Sequence, residues 1–159
     1  MELNRDYEEM LKSLNEYRVR YLLIGAYAVM YYTEPRYTKD MDIWVERSEG
    51  NIKKLYKALR NFGAPLTDIS INDFMDPHMM YQIGIEPVRV NIMSDLFGID
   101  FKKEWNNRVV SKYGSERVNI IDIKSLIMSK RKANRKQDEI DIEKLLIAKK
   151  TEKEARHEQ

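Results

Sequence analysis

The chain has 159 residues, no cysteine and two histidines, with 28 Lys+Arg against 26 Asp+Glu and a formal net charge of +2. That length suits one core of ordinary size, and 43% hydrophobic with 34% charged residues describes a globular chain under a heavily charged surface. Lack of cysteine removes disulfides, zinc–thiolate sites and thiol nucleophiles, and His78 and His157 alone disfavour a Ser-His-Asp hydrolase or a multi-histidine metal centre.

Residues 2–17 set Leu3, Tyr7, Met10, Leu11 and Leu14 at helical spacing among charges, which predicts an amphipathic helix. Arg20–Ile24 predicts a short strand ended by Gly25, and the apolar run Ala26–Tyr32 a buried helix leaving that glycine. Thr33–Lys39 reads as a loop, broken by Pro35. Asp40–Glu46 predicts a strand and Ser48–Phe62 a helix, with Ser48 or Asn51 near its cap and Gly63 past its end. Residues 64–78 are irregular apart from a turn of helix around Ile71–Met75. Met79–Ile85 and Pro87–Met93 predict two strands, Phe101–Asn107 a short helix, and Arg108–Tyr113 with Glu116–Ile121 a hairpin about Gly114-Ser115. Ile123–Lys132 and Asp138–Lys149 are helical, and residues 151–159 form a charged tail expected to be disordered. The order predicts one α/β (α+β) domain over residues 1–150, a mixed sheet flanked by helices and closed by a C-terminal helical pair. No apolar run reaches the ~20 residues of a membrane span, and the start, MELNRDYEEM, lacks a signal-peptide apolar stretch. A cytoplasmic protein is expected.

The strongest local feature is Gly25-Ala26, thirteen intervening residues, then Asp40-Met41-Asp42. On a strand, residues i and i+2 share a face, so Asp40 and Asp42 point together. Two neighbouring carboxylates make chemical sense around a hard divalent cation, and Mg²⁺ prefers a few carboxylates plus substrate phosphates. A glycine between strand and helix lets a phosphate approach backbone N–H groups at the positive helix end. Together they describe a site for a metal-bound nucleoside triphosphate; separately, each reads as a chance acidic pair or an ordinary turn.

The run Ile24-Gly25-Ala26, then Pro35-Arg36-Tyr37-Thr38-Lys39-Asp40-Met41-Asp42-Ile43, resembles the signature of the DNA polymerase β-type nucleotidyltransferase superfamily. Within it the stretch is most similar to small prokaryotic AbiEii/AbiGii-type toxin nucleotidyltransferases. Val88-Arg89-Val90-Asn91-Ile92-Met93 resembles the later strand that carries the third carboxylate, and Lys130-Arg131, Arg135, Asp138 and Asp141 resemble the C-terminal Lys…Arg…Asp…Asp segment. The resemblance implies a nucleotidyltransferase fold, an NTP substrate and a two-metal Mg²⁺ site on Asp40 and Asp42. It places Gly25, Ala26 and Lys130 at the triphosphate. It also implies a toxin–antitoxin or phage-defence setting, an RNA, tRNA or protein acceptor and a cognate antitoxin.

Two positions depart from the pattern. Ala26 replaces a second glycine or serine, and Asn91 stands where the third carboxylate is expected. Asparagine offers a neutral oxygen to a metal but cannot be a general base. Asp95 shares the face of Asn91 only if the strand runs on; it reads as the start of the loop before Phe97. Arg36 is a candidate phosphate contact, and Thr38 is suited to bonding its own loop backbone. Tyr27, Tyr31, Tyr32 and Tyr37 could stack on a base, but at helical spacing the first three read as core. From Lys124 to Lys136 there are six basic residues and no acidic one, a cationic wall for phosphates or a solvated helix face. Arg135 falls in that run. Asp138 either orients Lys130 or caps the last helix. Three readings stay open: a nucleotidyltransferase, a catalytically impaired nucleotidyltransferase-fold binding module, and a plain RNA-binding protein using the basic helix.

Overall fold

Side-chain caps set most helix starts in the computed structural model, which describes residues 3–85 and 88–157. Helix α1 (Arg5–Glu16) starts where the Asn4 side chain accepts the N–H groups of Asp6 and Tyr7, and it buries Tyr7, Met10, Leu11 and Leu14 on one stripe. Leu3 lies ahead of that cap and stays 55% exposed rather than extending the stripe, while Met1 and Glu2 fall outside the described residues. The buried strand β1 (Tyr21–Ile24) turns directly into α2 (Gly25–Tyr32) through Gly25 at φ +67°, a left-handed conformation that disfavours any side chain. Tyr27 is buried in α2 as core, whereas Tyr31 emerges 45% exposed.

Strand β2 (Asp40–Val45) follows, then α3 (Glu49–Phe62), capped by Ser48 and ended by Gly63 at φ +96°. Asn51, the other cap candidate, is buried one turn into α3. Its amide accepts from the Arg20 N–H and donates to the carbonyls of Arg20 and Glu46, tying α3 to the ends of β1 and β2. Next come α4 (Ile71–Phe74), β3 (Met80–Ile85) and β4 (Val88–Met93). Pro87, expected to open β4, lies outside the described residues. Helix α5 (Phe101–Asn106) leads to the hairpin β5 (Val109–Tyr113) and β6 (Glu116–Ile120). Helix α6 (Ile123–Ala133) ends at left-handed Asn134, and α7 (Lys136–His157) closes the chain.

Residues 151–157, assigned by composition to a disordered tail, instead continue α7 with every side chain exposed. Local helical contacts support the extension: Thr151 Oγ1 donates to the Ile147 carbonyl at 2.9 Å, and Arg156 pairs with Glu152 at 2.6 Å.

The six strands form one mixed sheet in the order β3-β4-β2-β1-β6-β5. The β2–β4 and β1–β6 pairs are parallel and the rest antiparallel. Helix α1 packs on α3 and against β4 and β6, while α2 lies against β1 and β2 and meets α6 and α7. This is the expected architecture: a mixed sheet flanked by helices with a C-terminal helical pair. Along β2, Met41, Ile43 and Val45 are fully buried on one face, which leaves Asp40 and Asp42 on the other.

Candidate functional site

The parallel register of β2 with β4 sets Arg89 beside Asp40 and Asn91 beside Asp42. Arg89 grips Asp40 with two nitrogens, Nε to Oδ1 at 2.6 Å and Nη2 to Oδ2 at 3.0 Å. One step along the strands, Asn91 Nδ2 donates to Asp42 Oδ1 at 2.9 Å. Gln82, opposite Asn91 on β3, donates to Asn91 Oδ1 at 2.9 Å. The two carboxylates therefore sit in different surroundings. The Arg89 hydrogen bonds hold the Asp40 carboxyl below the usual carboxylate range, whereas burial pushes the Asp42 carboxyl up against the opposing pull of Asn91. Gly25 lies directly over Asp42, where a Cβ would collide with Oδ2, so close approach and positive φ both demand glycine.

Gly25, Asp40, Asp42 and Asn91 line a cleft of about 590 Å³ whose opposite wall is the end of α6, with Lys130, and the following Arg135. The Lys130 side chain is only 7% exposed and reaches Asp138 Oδ1 at 3.3 Å and Asp141 Oδ2 at 3.1 Å. Asp138 also accepts from Arg135, at 2.9 Å from Nε and 3.0 Å from the backbone N–H, so it both pairs and caps the start of α7. Asp141 takes both guanidinium Nη atoms of Arg36, with Nη2 to Oδ2 at 3.2 Å. Burial pushes both carboxyls up, but the Arg135 hydrogen bonds at Asp138 and the Arg36 and Gln137 hydrogen bonds at Asp141, with Lys130 beside both, hold them below the usual range. Three cations thus face two carboxylates, leaving the wall positive.

The structure brings six of the expected residues around one cleft: Gly25, Asp40, Asp42, Asn91, Lys130 and Arg135. Arg36 instead joins the loop before β2 to α7 through Asp141, and Asp138 stands behind Lys130 and Arg135. Thr38 Oγ1 lies 3.4 Å from the Asp40 carbonyl, bracing that loop, and Ala26 is the second residue of α2. Strand β4 ends at Met93, which puts Asp95 in the loop. Sequence reasoning missed Arg89 and Gln82. The period-two rule places Arg89 on the face of Asn91 once β4 is drawn, but its partner on β2 depends on register, which one sequence does not reveal.

Among the described residues no three His, Cys, Asp or Glu side chains gather as a metal cluster. Asp40, Asp42 and the Asn91 amide oxygen are the hard donors present. Two carboxylates beside a side-chain-free Gly25 fit one Mg²⁺ that completes its shell with water and phosphate, with Arg89 as the competitor for Asp40.

A family model described as a nucleotidyl transferase of unknown function (DUF2204) matches residues 3–157. The chain belongs to this family. No curated protein sequence matches it. Solved nucleotidyltransferase structures share the fold. The lincosamide antibiotic adenylyltransferase LnuA, lincomycin-bound, superposes with a TM-score of 0.60 at 14% identity, over 91% of this chain and 98% of that one. A protein from Thermotoga maritima described as a nucleotidyltransferase gives a TM-score of 0.56 at 14% identity, over 91% of this chain and 95% of that one. An antigenic nucleotidyltransferase-like protein from Paracoccidioides brasiliensis gives 0.52 at 14% identity, over 92% and 77%. At that identity the likeness is one of fold. Among the described residues no helix is long and apolar enough to cross a membrane.

Proposed function

We propose that this nucleotidyl transferase moves a nucleoside monophosphate from an NTP to an acceptor hydroxyl with the help of Mg²⁺ held by Asp40 and Asp42. The observation that carries the reading is the pairing of those carboxylates under Gly25, across one cleft from Lys130 and Arg135. Mg²⁺ supplies neutralisation of charge on the phosphate oxygens. The chain's own residues do the rest. Gly25 leaves the backbone open to a phosphate, and Lys130 and Arg135 present fixed positive charge, held in place by Asp138 and Asp141. Arg89 must release Asp40 before that carboxylate can serve a metal. A two-metal arrangement would take its third protein oxygen from Asn91, which now bonds Gln82.

For the acceptor, the exposed Arg131, Lys132 and Lys136 near the cleft end of α6, with Lys124 at its other end, support a polyanion, RNA or tRNA. The adenylyltransferase LnuA is bound to lincomycin, and a small hydroxylated acceptor is the competing reading. A cytoplasmic toxin–antitoxin or phage-defence role, with a cognate antitoxin, rests on the sequence resemblance alone.

A second reading, a nucleotide-binding protein with little turnover, is favoured by Asn91: it donates to Asp42 and has no basic oxygen for an acceptor proton. Calorimetric titration of the four NTPs with and without Mg²⁺, on wild type and Asp40→Asn/Asp42→Asn, tests the site. Binding that needs Mg²⁺ and vanishes in the double variant is expected; no NTP binding sinks both readings. Transfer from labelled NTP then separates them. A rise in turnover on Asn91→Asp supports lost base chemistry as the limit, and no change removes Asn91 from that role.

A further inference from the structure

The face of the sheet inside the cleft is graded. Side chains of β2, β3 and β4 form rows across the strands, each about 6.7 Å from the next. The first row is ionic, Asp40 with Arg89, and the second polar, Asp42–Asn91–Gln82. The third is apolar: Met93 and Met80 line the cleft, while Trp44 beside Met93 is buried against Phe101 at 4.9 Å between ring centroids. Beyond Met93 the chain turns over this apolar end and sets Leu96 and Phe97 into the same cleft.

Phe97 is unusual twice over. It is 48% exposed, and its backbone sits at φ +51°, followed by Gly98 at φ +74°. A bulky side chain in the left-handed region is an outlier, and such outliers collect at ligand sites. Its carbonyl accepts from Lys132 Nζ at 3.4 Å, so the loop is tied to the helix that supplies Lys130. A single exposed phenylalanine needs no explanation. One held in a strained conformation in the cleft that Met80, Met93, Leu96 and the carboxylate pair also line does.

We propose that Phe97, with Met80, Met93 and Leu96, is the shelf on which the nucleobase of the NTP stacks. The proposal rests on the nucleotide reading of the cleft. The base is the flat, uncharged end of a ligand whose other end is polyanionic, and the cleft is ionic at one end and apolar at the other in the same order. Stacking on a π-face tolerates any base, so the shelf supplies affinity without strong choice among the four NTPs.

The test is calorimetric titration with the Mg²⁺ complexes of the four NTPs and, separately, with Mg²⁺-tripolyphosphate, on wild type, Phe97→Gly and Phe97→Tyr. Glycine adopts the left-handed conformation freely, so Phe97→Gly removes the ring without risk to folding. A loss of about tenfold in NTP affinity in Phe97→Gly is expected, the scale of one base on one ring. Tripolyphosphate affinity stays unchanged, and Phe97→Tyr binds like wild type. Equal NTP binding by wild type and Phe97→Gly overturns the shelf and leaves the nucleotide site standing. Equal weakening of tripolyphosphate also overturns it, because the ring would then act on cleft shape. If wild type binds neither NTP nor tripolyphosphate, the nucleotide reading fails and the shelf with it.

Discussion

Asp42 carries the conflict between stability and use in this fold. Burial raises its carboxyl above the ordinary value, with one Asn91 hydrogen bond in opposition. For a carboxyl raised in the folded state, the unfolded chain gives up its proton first. Stability therefore falls as pH climbs from the unfolded value of about 3.8 through the folded one, and stays lower above it. Asp42→Asn keeps an acceptor for Asn91 and removes the buried charge. Its melting temperature at pH 7 should exceed that of wild type by about 2–4 °C, the gain should vanish below pH 3.8, and Mg²⁺–NTP binding should be lost. A variant less stable than wild type at pH 7 would show that Asp42 is not strained by its surroundings. Arg89 poses the complementary problem at Asp40. Mn²⁺ titration followed by electron paramagnetic resonance, without nucleotide, should find Arg89→Ala binding the ion about tenfold more tightly, as a bidentate charged competitor worth ~1.4 kcal/mol is gone. Unchanged affinity would mean that Arg89 leaves Asp40 at no cost. The two carboxylates were legible in the sequence because strand period alone puts them together. Their opposite environments were not, since Arg89 and Asn91 reach them only through the β2–β4 register.

At the scale of elements, α6 and α7 are held by charge as well as packing. Asp141 is wholly buried between Lys130 and Arg36, and Asp138 is buried between Lys130 and Arg135. Removing one member of a buried cluster leaves its partners uncompensated, at a cost of about 3–5 kcal/mol. Asp141→Asn should lose stability of that order in urea at pH 7. Asp138 and Asp141 both titrate below their ordinary value, so their contribution is complete above about pH 3.8 and is lost as pH falls through the lower folded values. The gap between variant and wild type should therefore close in acid; a gap that persists at pH 2 would assign the loss to shape rather than charge. Elements whose ends are written in one or two residues were readable from sequence, as with Ser48 and Gly63 around α3 or Gly114-Ser115 in the hairpin. The start of α1 was read too early, because Leu3 fits the stripe but precedes the Asn4 cap. The end of α7 was read too early because charge density says nothing about i,i+4 pairing such as Glu152–Arg156. Phe97 gave no signal at all, for backbone strain in a loop leaves no pattern in sequence.

On the scale of the whole molecule, a net charge of +2 conceals an uneven surface. The exposed side chains Lys124, Arg131, Lys132 and Arg135 recur along the outer side of α6 and its exit, and Arg135 lines the cleft itself. Lys149, Lys153 and Arg156 of α7 line a second hollow that Lys124 shares at the opposite end of α6. Eleven helical residues span about 16 Å, so basic groups stand at the cleft end of α6 and again at that hollow, with exposed Met128 between them on the helix, and the acids lining the hollow are Asp122, which caps α6, and Glu152, which pairs with Arg156. A polynucleotide acceptor laid across both groups would displace counterions, each neutralised phosphate adding about −0.7 to the slope of log affinity against log salt for a single strand. Four contacts give a slope of roughly −3. Fluorescence anisotropy of a labelled single-stranded RNA across a salt series should find such a slope, and Lys124→Glu/Arg131→Glu should flatten it while leaving Mg²⁺–NTP binding at the cleft intact. A small hydroxylated acceptor predicts the reverse: weak RNA binding with no change on charge reversal. Fold likeness to an adenylyltransferase bound to lincomycin does not choose between them, because at 14% identity it speaks to the fold and not to the surface an acceptor would meet.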